Sequence, residues 1–432
     1  MQISQLYVYP IKSLRATPIT SGVLSPLGLK YDRRFMLLKV EDGQDGNDNG
    51  KATLKNMHVP HFPEMALFET ALDMPTTEHE GRVRVTYHPP PPSSSTADGE
   101  TESRPREVKY LEIPLEPNVD SLSRFTVTMH QSPTTGYDMG PVYNDWFSAC
   151  FGYPVVLAYL GVNTRGVLGT LAPAKAKLNG KKKGGRWHEV LLRGLESVGG
   201  GGPLLLEKLL VPICAVAICA SGVLYAAGQL DGSIANGVSS VSKMATLVGI
   251  VGLALVLVGG FVIYMGGKGL FVAGYEDRIT FADCAPFLVI SETSVDNVSG
   301  RLPVGEEMDR TKFRPNIVIS GAEAAFEEDF WTELVVGSKR ARLLLTGNCV
   351  RCQSLNVDYR TGRMGAGESG TVLKKLMKDR RVDRGARFSP VFGRYSFLDR
   401  GFDGEEVRVG DVVEVVARGA ERSVLDWPGL TN

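Results

Sequence analysis

The sequence predicts a mainly β (α+β) fold of barrel-like or sandwich sheets, interrupted by an inserted two-helix transmembrane hairpin. Three observations lead there. Short β-branched or aromatic runs alternate with turn residues toward both ends of the chain, few segments carry a helical period, and two long uncharged runs lie in the middle.

The strands come first. Ile3, Leu6 and Val8 open the chain with a strand-like alternation, and residues 35–40, 83–87, 108–113, 125–129 and 155–159 are β-rich runs between turn signals. Residues 142–151 suit a helix, and the polar stretches 41–50 and 89–106 read as long loops. Beyond residue 275, 287–290 and 316–320 read as strands, 371–381 as a basic helix, and 407–416 as a closing strand pair around Gly410-Asp411. The expected organisation is a β-barrel domain over 1–165, a basic linker and hairpin over 166–274, and a second β-barrel domain over 275–432.

Residues 209–227 and 244–265 contain no Asp, Glu, Lys or Arg. Each is long enough to cross a hydrocarbon core of about 30 Å as a helix. Small residues at helix-packing spacing, Gly222 with Ala226 and Ala245 with Gly249, suit close approach of two helices in lipid. A pair of buried core helices is the alternative, but such helices usually carry a polar stripe. Lys175, Lys177, Lys181, Lys182, Lys183, Arg186 and Arg193 precede the first run, Lys268 and Arg278 follow the second, and the connector offers only Lys243. That asymmetry predicts an integral, multi-pass protein with both soluble parts facing the cytosol and the lipid bilayer as a partner. The lysine cluster either meets anionic headgroups or is a solvated linker.

Composition sets further limits. In 432 residues, 48 Lys and Arg balance 48 Asp and Glu, so charge gives no ground to expect a nucleic-acid partner. Six cysteines at irregular spacings do not make a secreted disulfide framework, which favours a reducing compartment. Met1 to Pro10 lacks the basic and then apolar pattern of a signal peptide, so none is expected.

Cys349-Val350-Arg351-Cys352 is the one close cysteine pair. A structural zinc site wants a second ligand pair that the sequence does not supply nearby. Dithiol exchange wants a helix after the pair, whereas the following Gln353 to Asp358 alternates like a strand. Two readings stay open: a pair of small core residues, or a thiolate stabilised by Arg351 and suited to a soft, redox-active metal. Elsewhere, Lys12-Ser13, Asp32-Arg33-Arg34 and Arg314-Pro315-Asn316 offer a point charge, a hydroxyl donor and guanidinium forks, the groups that hold a phosphate. Singly each motif is weak, since Arg33 or Arg34 also suits a surface carboxylate.

Taken in order, YPIKSL, YDRRFMLL, FADCAPFLVISETSVDNVSGRL, KFRPNIVISG, NCVRCQSLNVDYRTG and SPVFGRYSFLD resemble the MOSC domain family with its N-terminal MOSC β-barrel domain. Within that family the likeness is to the mitochondrial amidoxime-reducing component group. The resemblance implies a molybdenum cofactor (Mo-molybdopterin) with Cys352 as the metal's thiolate ligand. It implies Lys12, Ser13 and Arg33 at the pterin phosphate, Arg314 and Asn316 lining the cofactor beside Arg351, and Asp283 near the metal as proton relay or positioning group. The implied activity is reduction of small N-hydroxylated substrates such as amidoximes and hydroxylamines, with electrons from NADH through a cytochrome b5 and its reductase. A membrane-tethered cofactor carrier without turnover is the alternative. The stretch 339–400 holds 15 Lys or Arg against 5 Asp or Glu, which either docks an acidic electron carrier or surrounds an anionic cofactor. Two departures stand out. The hairpin takes the place of the N-terminal anchor of mammalian relatives, and Cys284 replaces a small non-cysteine residue.

Overall fold

The strand Val391–Leu398 is buried at all eight residues, as a central strand covered on both faces must be. Of its two polar members, Arg394 donates to the Trp331 and Leu345 carbonyls at 3.3 and 3.0 Å and also reaches Asn348 and Ser423, while the buried Ser396 hydroxyl has no hydrogen-bond partner among the described residues. Around it the computed structural model builds an eight-stranded sheet in the order Thr17–Ile19, Gln2–Val8, Ile317–Ser320, Phe287–Ser291, Val391–Leu398, Ala341–Val350, Trp331–Val336, Val413–Arg418. The described residues are 1–41, 52–77, 79–91, 107–173 and 276–430.

The first strand of the chain therefore sits in a sheet made mostly by its last third. Gln2–Val8 pairs antiparallel with Ile317–Ser320, with a register shift between Ile3 and Gln5. The pair Phe287–Ser291 and Ile317–Ser320 is parallel, so the chain must cross over between them, and the helix Glu292–Ser299 lies on that crossover. A second, five-stranded sheet runs Arg124–Met129, Ser132–Asp138, Val155–Tyr159, Phe35–Glu41, Thr53–Asn56, with the helix Pro141–Phe151 against it. That helix starts with proline at its first position and stops at Gly152, whose φ of 80° is left-handed. Met1–Asn179 and Glu276–Asn432 make one unit, and Arg165–Gly166 pairs with Arg278–Ile279 where the chain leaves and re-enters it.

The architecture is mainly β, but the expected membrane part is corrected. Among the described residues no helix is long and apolar enough to cross a membrane. The described helices are the 11-residue Pro141–Phe151, the 8-residue Glu292–Ser299, the 6-residue Val372–Met377 and short 3-10 turns, far below the roughly 20 residues a span requires. The transmembrane hairpin is withdrawn from the fold class, and with it the multi-pass localisation and its orientation. The runs 209–227 and 244–265, and the linker before them, lie outside the described residues. Two smaller expectations change as well. The helix expected over 371–381 is Val372–Met377, and the two strands around Gly410 pair elsewhere rather than with each other.

One buried acid gives the fold a pH dependence. Glu328 accepts from the Ser294 hydroxyl at 2.8 Å while its other carboxyl oxygen has no partner, and burial raises its pKa from 4.5 to about 7. An acid that holds its proton more tightly when folded costs nothing below the unfolded value and destabilises the fold as pH rises from there through the folded value. At about 1.4 kcal/mol per unit, the loss by pH 8 is about 3 kcal/mol. Glu328→Gln is expected to raise the denaturation midpoint at pH 8 and leave it nearly unchanged at pH 4. Equal effects at both pH values contradict this account.

Candidate functional site

Two loops laced together by their backbones form the base of the site. Arg33 N–H donates to the Tyr9 carbonyl at 2.7 Å, Phe35 N–H to Pro10 at 3.0 Å, and Lys12 N–H to Phe35 at 2.8 Å. Phe281 N–H then donates to the Arg33 carbonyl at 3.0 Å, which ties in the segment that carries Asp283. Ser13, Arg33 and Arg314 all have positive φ (71°, 51° and 58°) although none is glycine. Non-glycine residues in this region are uncommon and strained, and they gather where surrounding structure and function demand them.

The buried Arg33 reaches three groups: the Asp32 carboxylate, the Asn316 side-chain oxygen at 3.2 Å and the Arg314 carbonyl at 3.2 Å. Asn316 is held by the backbone, accepting from Leu288 N–H at 3.2 Å and donating to the Tyr7 carbonyl at 3.3 Å. Asp32 also accepts from Tyr9 N–H at 2.9 Å, so the partner of Arg33 is a buried carboxylate and not a surface one. Arg34 points away, to the Gly161 carbonyl.

Tyr9 lies between two guanidinium groups, with Arg33 4.7 Å and Arg314 4.5 Å from its ring centre. Cations favour an aromatic face, which lets two like charges share one buried ring. Burial drives the Tyr9 pKa well above its usual value, against the pull of Arg314 and Arg33, so the phenol is a neutral donor. The Tyr9 hydroxyl and Arg314 Nη2 are both buried without a partner among the described residues. Unsatisfied buried donors around an excess of positive charge are what an anion would complete.

Lys12 and Asp283, 271 positions apart, form an ion pair. Burial lowers the Lys12 pKa more than Asp283 raises it. For Asp283, desolvation acts upward, but Lys12 and His130 outweigh it and hold the carboxyl well below the usual range. The fully buried Arg165 fixes this segment by donating to the carbonyls of Thr280 at 3.1 Å, Asp283 at 3.2 Å and Ala282. Burial brings the Arg165 pKa down to about 10.

Of the four free cysteines among the described residues, Cys352 alone is exposed. It stands at the N-terminal boundary of the 3-10 turn Gln353–Asn356, its sulfur 3.3 Å from the Ser354 hydroxyl oxygen. Arg351 does not donate to it. The guanidinium reaches Cys349 Sγ at 2.8 Å and the Phe313 and Lys312 carbonyls at 2.9 and 3.4 Å, and its Nε is left without a partner. Arg351 thus ties the cysteine segment to the turn Arg310–Phe313, which Arg314 caps. Cys284 and Cys349 are buried, and burial pushes the Cys284 thiol far up, so the first is no nucleophile at neutral pH.

The structure places all eight residues that the sequence singled out: Lys12 with Asp283, Arg33 with Asn316 and the Arg314 backbone, Arg351 on the adjoining turn, Ser13 beside Lys12, and Cys352 exposed at the end of its strand. Sequence reasoning missed Arg165 and His130, which bear on Asp283, and the roles of Tyr9 and Asp32. The last two lie inside motifs already noted, but nothing local marked Arg165 or His130.

Comparison with known proteins agrees with this picture. Residues 1–154 match the MOSC N-terminal beta barrel domain, and residues 276–414 match the MOSC domain. Over 147 residues the chain is 35% identical to the mitochondrial amidoxime-reducing component 1 of Homo sapiens, covering 33% of this chain and 40% of that protein. It is 37% identical over 144 residues to the mitochondrial amidoxime reducing component 2 of Rattus norvegicus, with the same coverage of 33% and 40%. The match thus spans about two fifths of the length of these curated relatives.

Proposed function

The chain belongs to the MOSC domain family, and from that premise we propose that it is a molybdenum-cofactor oxidoreductase reducing small N-hydroxylated compounds such as amidoximes and hydroxylamines. The observation that carries this reading is the pair of arginines around Tyr9, with unpaired buried donors, in the same unit as an exposed thiol. The names of the aligned relatives support the substrate class.

The residues present fit the cofactor. Lys12, Ser13 and Arg33 supply a charge, a hydroxyl and a fork for its phosphate. Arg314 brings an unpaired Nη2, and Asn316, locked by three hydrogen bonds, holds the Arg33 guanidinium in place. Cys352 is the soft ligand. Among the described residues no three His, Cys, Asp or Glu side chains are placed to hold a bare metal ion, so the remaining ligands would come from the pterin. When bound, the cofactor supplies a metal that changes oxidation state by two electrons, as breaking an N–O bond requires.

The protein's own part is binding and proton handling. Arg351 fixes the strand end that presents Cys352, and Asp283, held by Lys12, is the carboxylate that relays a proton. Electrons come from NADH through a cytochrome b5 and its reductase, and exposed cations within 339–400, among them Lys339, Arg360, Arg363, Arg381, Arg384 and Arg387, are the groups that dock the acidic carrier, while Arg351, Arg380 and Arg394 are buried and take no part. The test is molybdenum and pterin content of the purified protein, followed by turnover of an amidoxime with the reconstituted NADH, reductase and cytochrome b5 chain. Loaded protein with turnover is expected. Loaded protein without turnover points to a cofactor carrier, and protein that takes up no molybdenum overturns the reading altogether.

A further inference from the structure

Asp283 has two side-chain partners, and they come from different parts of the chain. Lys12 follows the first strand, and His130 sits on the hairpin turn between Arg124–Met129 and Ser132–Asp138, its Nε2 3.5 Å from Asp283 Oδ1. That separation is at the outer limit of a hydrogen bond, common in sites whose contacts tighten only when loaded. Lys12 is nearly enclosed, with a side chain 10% exposed, while the His130 side chain is 33% exposed. One partner is sealed and the other reaches water.

The turn that carries His130 is built at a conformational cost. Met129 pairs with Ser132, so His130 and Gln131 form a two-residue loop, and both have positive φ, 47° and 63°. Such a loop ordinarily takes Asn-Gly. Here it is held from outside: Trp427 Nε1 donates to the His130 carbonyl at 2.9 Å, and Arg165 Nη1 to the Met129 carbonyl at 3.0 Å. The same Arg165 donates to the Asp283 carbonyl at 3.2 Å, so one buried guanidinium sets the backbones of both residues. A strained turn locked so that its imidazole meets a site carboxylate is an arrangement that function maintains.

We propose that His130 is the positioning residue that exchanges protons with Asp283, linking solvent to the site. This rests on the reductase reading. Reduction of an amidoxime breaks the N–O bond and consumes two electrons and two protons, RC(NH2)=NOH + 2 e− + 2 H+ giving RC(NH2)=NH + H2O. The electrons come from an external one-electron haem carrier, and the protons must come from water. Histidine is the side chain best suited to that transfer near neutral pH. The other groups that act on Asp283 are not suited. Lys12 is enclosed in its ion pair with Asp283 and has no path to water, Arg33 is buried against Asp32 and Asn316, and Arg165 is spent on carbonyls. Cys284 and Tyr395 are buried. His58 is engaged with His61 at 2.6 Å.

The variant is His130→Asn, since asparagine tolerates left-handed φ and cannot pass a proton through a ring. In the molybdenum-loaded protein it should lower kcat by roughly 100-fold, within the range of a lost acid–base group. KM and molybdenum content should hold, and free imidazole should restore part of the rate, which a merely structural role would not allow. Asp283 is itself 51% exposed, so a wild-type kcat in the variant means that water serves directly and overturns the proposal. Loss of rate without imidazole rescue overturns it too. An activity-independent measurement accompanies these, in full-length cofactor-free protein carrying 13C-carboxyl aspartate. The Asp283 signal, assigned with Asp283→Asn, should step in concert with the His130 ring signals and lose that step in His130→Asn. An Asp283 signal indifferent to His130 refutes the pairing. Should loaded wild-type protein reduce no N-hydroxylated compound while the step persists, the reductase reading has failed and the His130–Asp283 pair stands.

Discussion

Cys352→Ala is expected to remove essentially all molybdenum-dependent turnover, the largest single effect any substitution here should have. Cys352 is the exposed thiol among the described cysteines, placed where a strand gives way to a 3-10 turn. Loss of groups that merely orient a metal's ligands typically costs 10–100-fold, so loss of the ligand itself should exceed about 1,000-fold. Cys349→Ala is the control, and its effect should be of a different kind. Cys349 is buried and its sulfur accepts from Arg351 at 2.8 Å, so the variant leaves part of a buried guanidinium unpaired and should lose about 1–3 kcal/mol of stability. Arg351 still holds the Phe313 carbonyl, so most of the molybdenum should stay. Metal analysis and denaturation of both variants separate the two roles. If Cys349→Ala empties the site while Cys352→Ala keeps it, the thiols have been assigned the wrong way round.

The strands that the sequence shows best are those whose side chains alone decide them. Residues 155–159 were expected from their apolar, β-branched run and form Val155–Tyr159, and 287–290 form Phe287–Ser291. Alternation says that a segment is a strand but not which strand it meets. Glu406–Arg408 and Val413–Arg418 read as a pair, yet the first joins Ser21–Ser25 and the second Trp331–Val336. Tertiary demands also cut elements short. The basic helix ends at Met377, and although Arg380 N–H still donates to the Leu376 carbonyl at 2.9 Å, its buried side chain sends one nitrogen, Nη2, to both carboxylate oxygens of Asp329 at 2.8 Å. The six residues after Cys352 alternate like a strand but turn as a 3-10 helix first, where Asn356 accepts from Leu373 N–H at 3.0 Å. At the site, charged and hydroxyl residues inside local motifs were legible. Arg165 and His130 were not, because each acts across more than 100 positions on Asp283.

Arg33→Ala should empty the site by a route that the structure makes separable from unfolding. Arg33 has two duties: it offers a cation to a bound phosphate, and it neutralises Asp32, whose side chain is fully buried. Removing the guanidinium strands that carboxylate with only the Tyr9 N–H at 2.9 Å, and breaking a buried pair from one side costs about 3–5 kcal/mol. The single variant should therefore be both unstable and poor in molybdenum, which alone would prove little. Asp32→Asn combined with Arg33→Ala removes the stranded charge and should recover most of the stability. It should not recover the cofactor, since the phosphate still lacks a charge-assisted contact worth about 1.5–3 kcal/mol, a ten- to hundredfold weaker hold. Arg33→Lys should lie between, keeping the charge near Asp32 but losing the fork that also reaches Asn316 and the Arg314 carbonyl at 3.2 Å each. The measurement is molybdenum per protein beside the urea midpoint for all three. A double variant that regains molybdenum together with stability would show that Arg33 serves the fold alone, and the phosphate would then have to be held by Lys12, Ser13 and Arg314 without it.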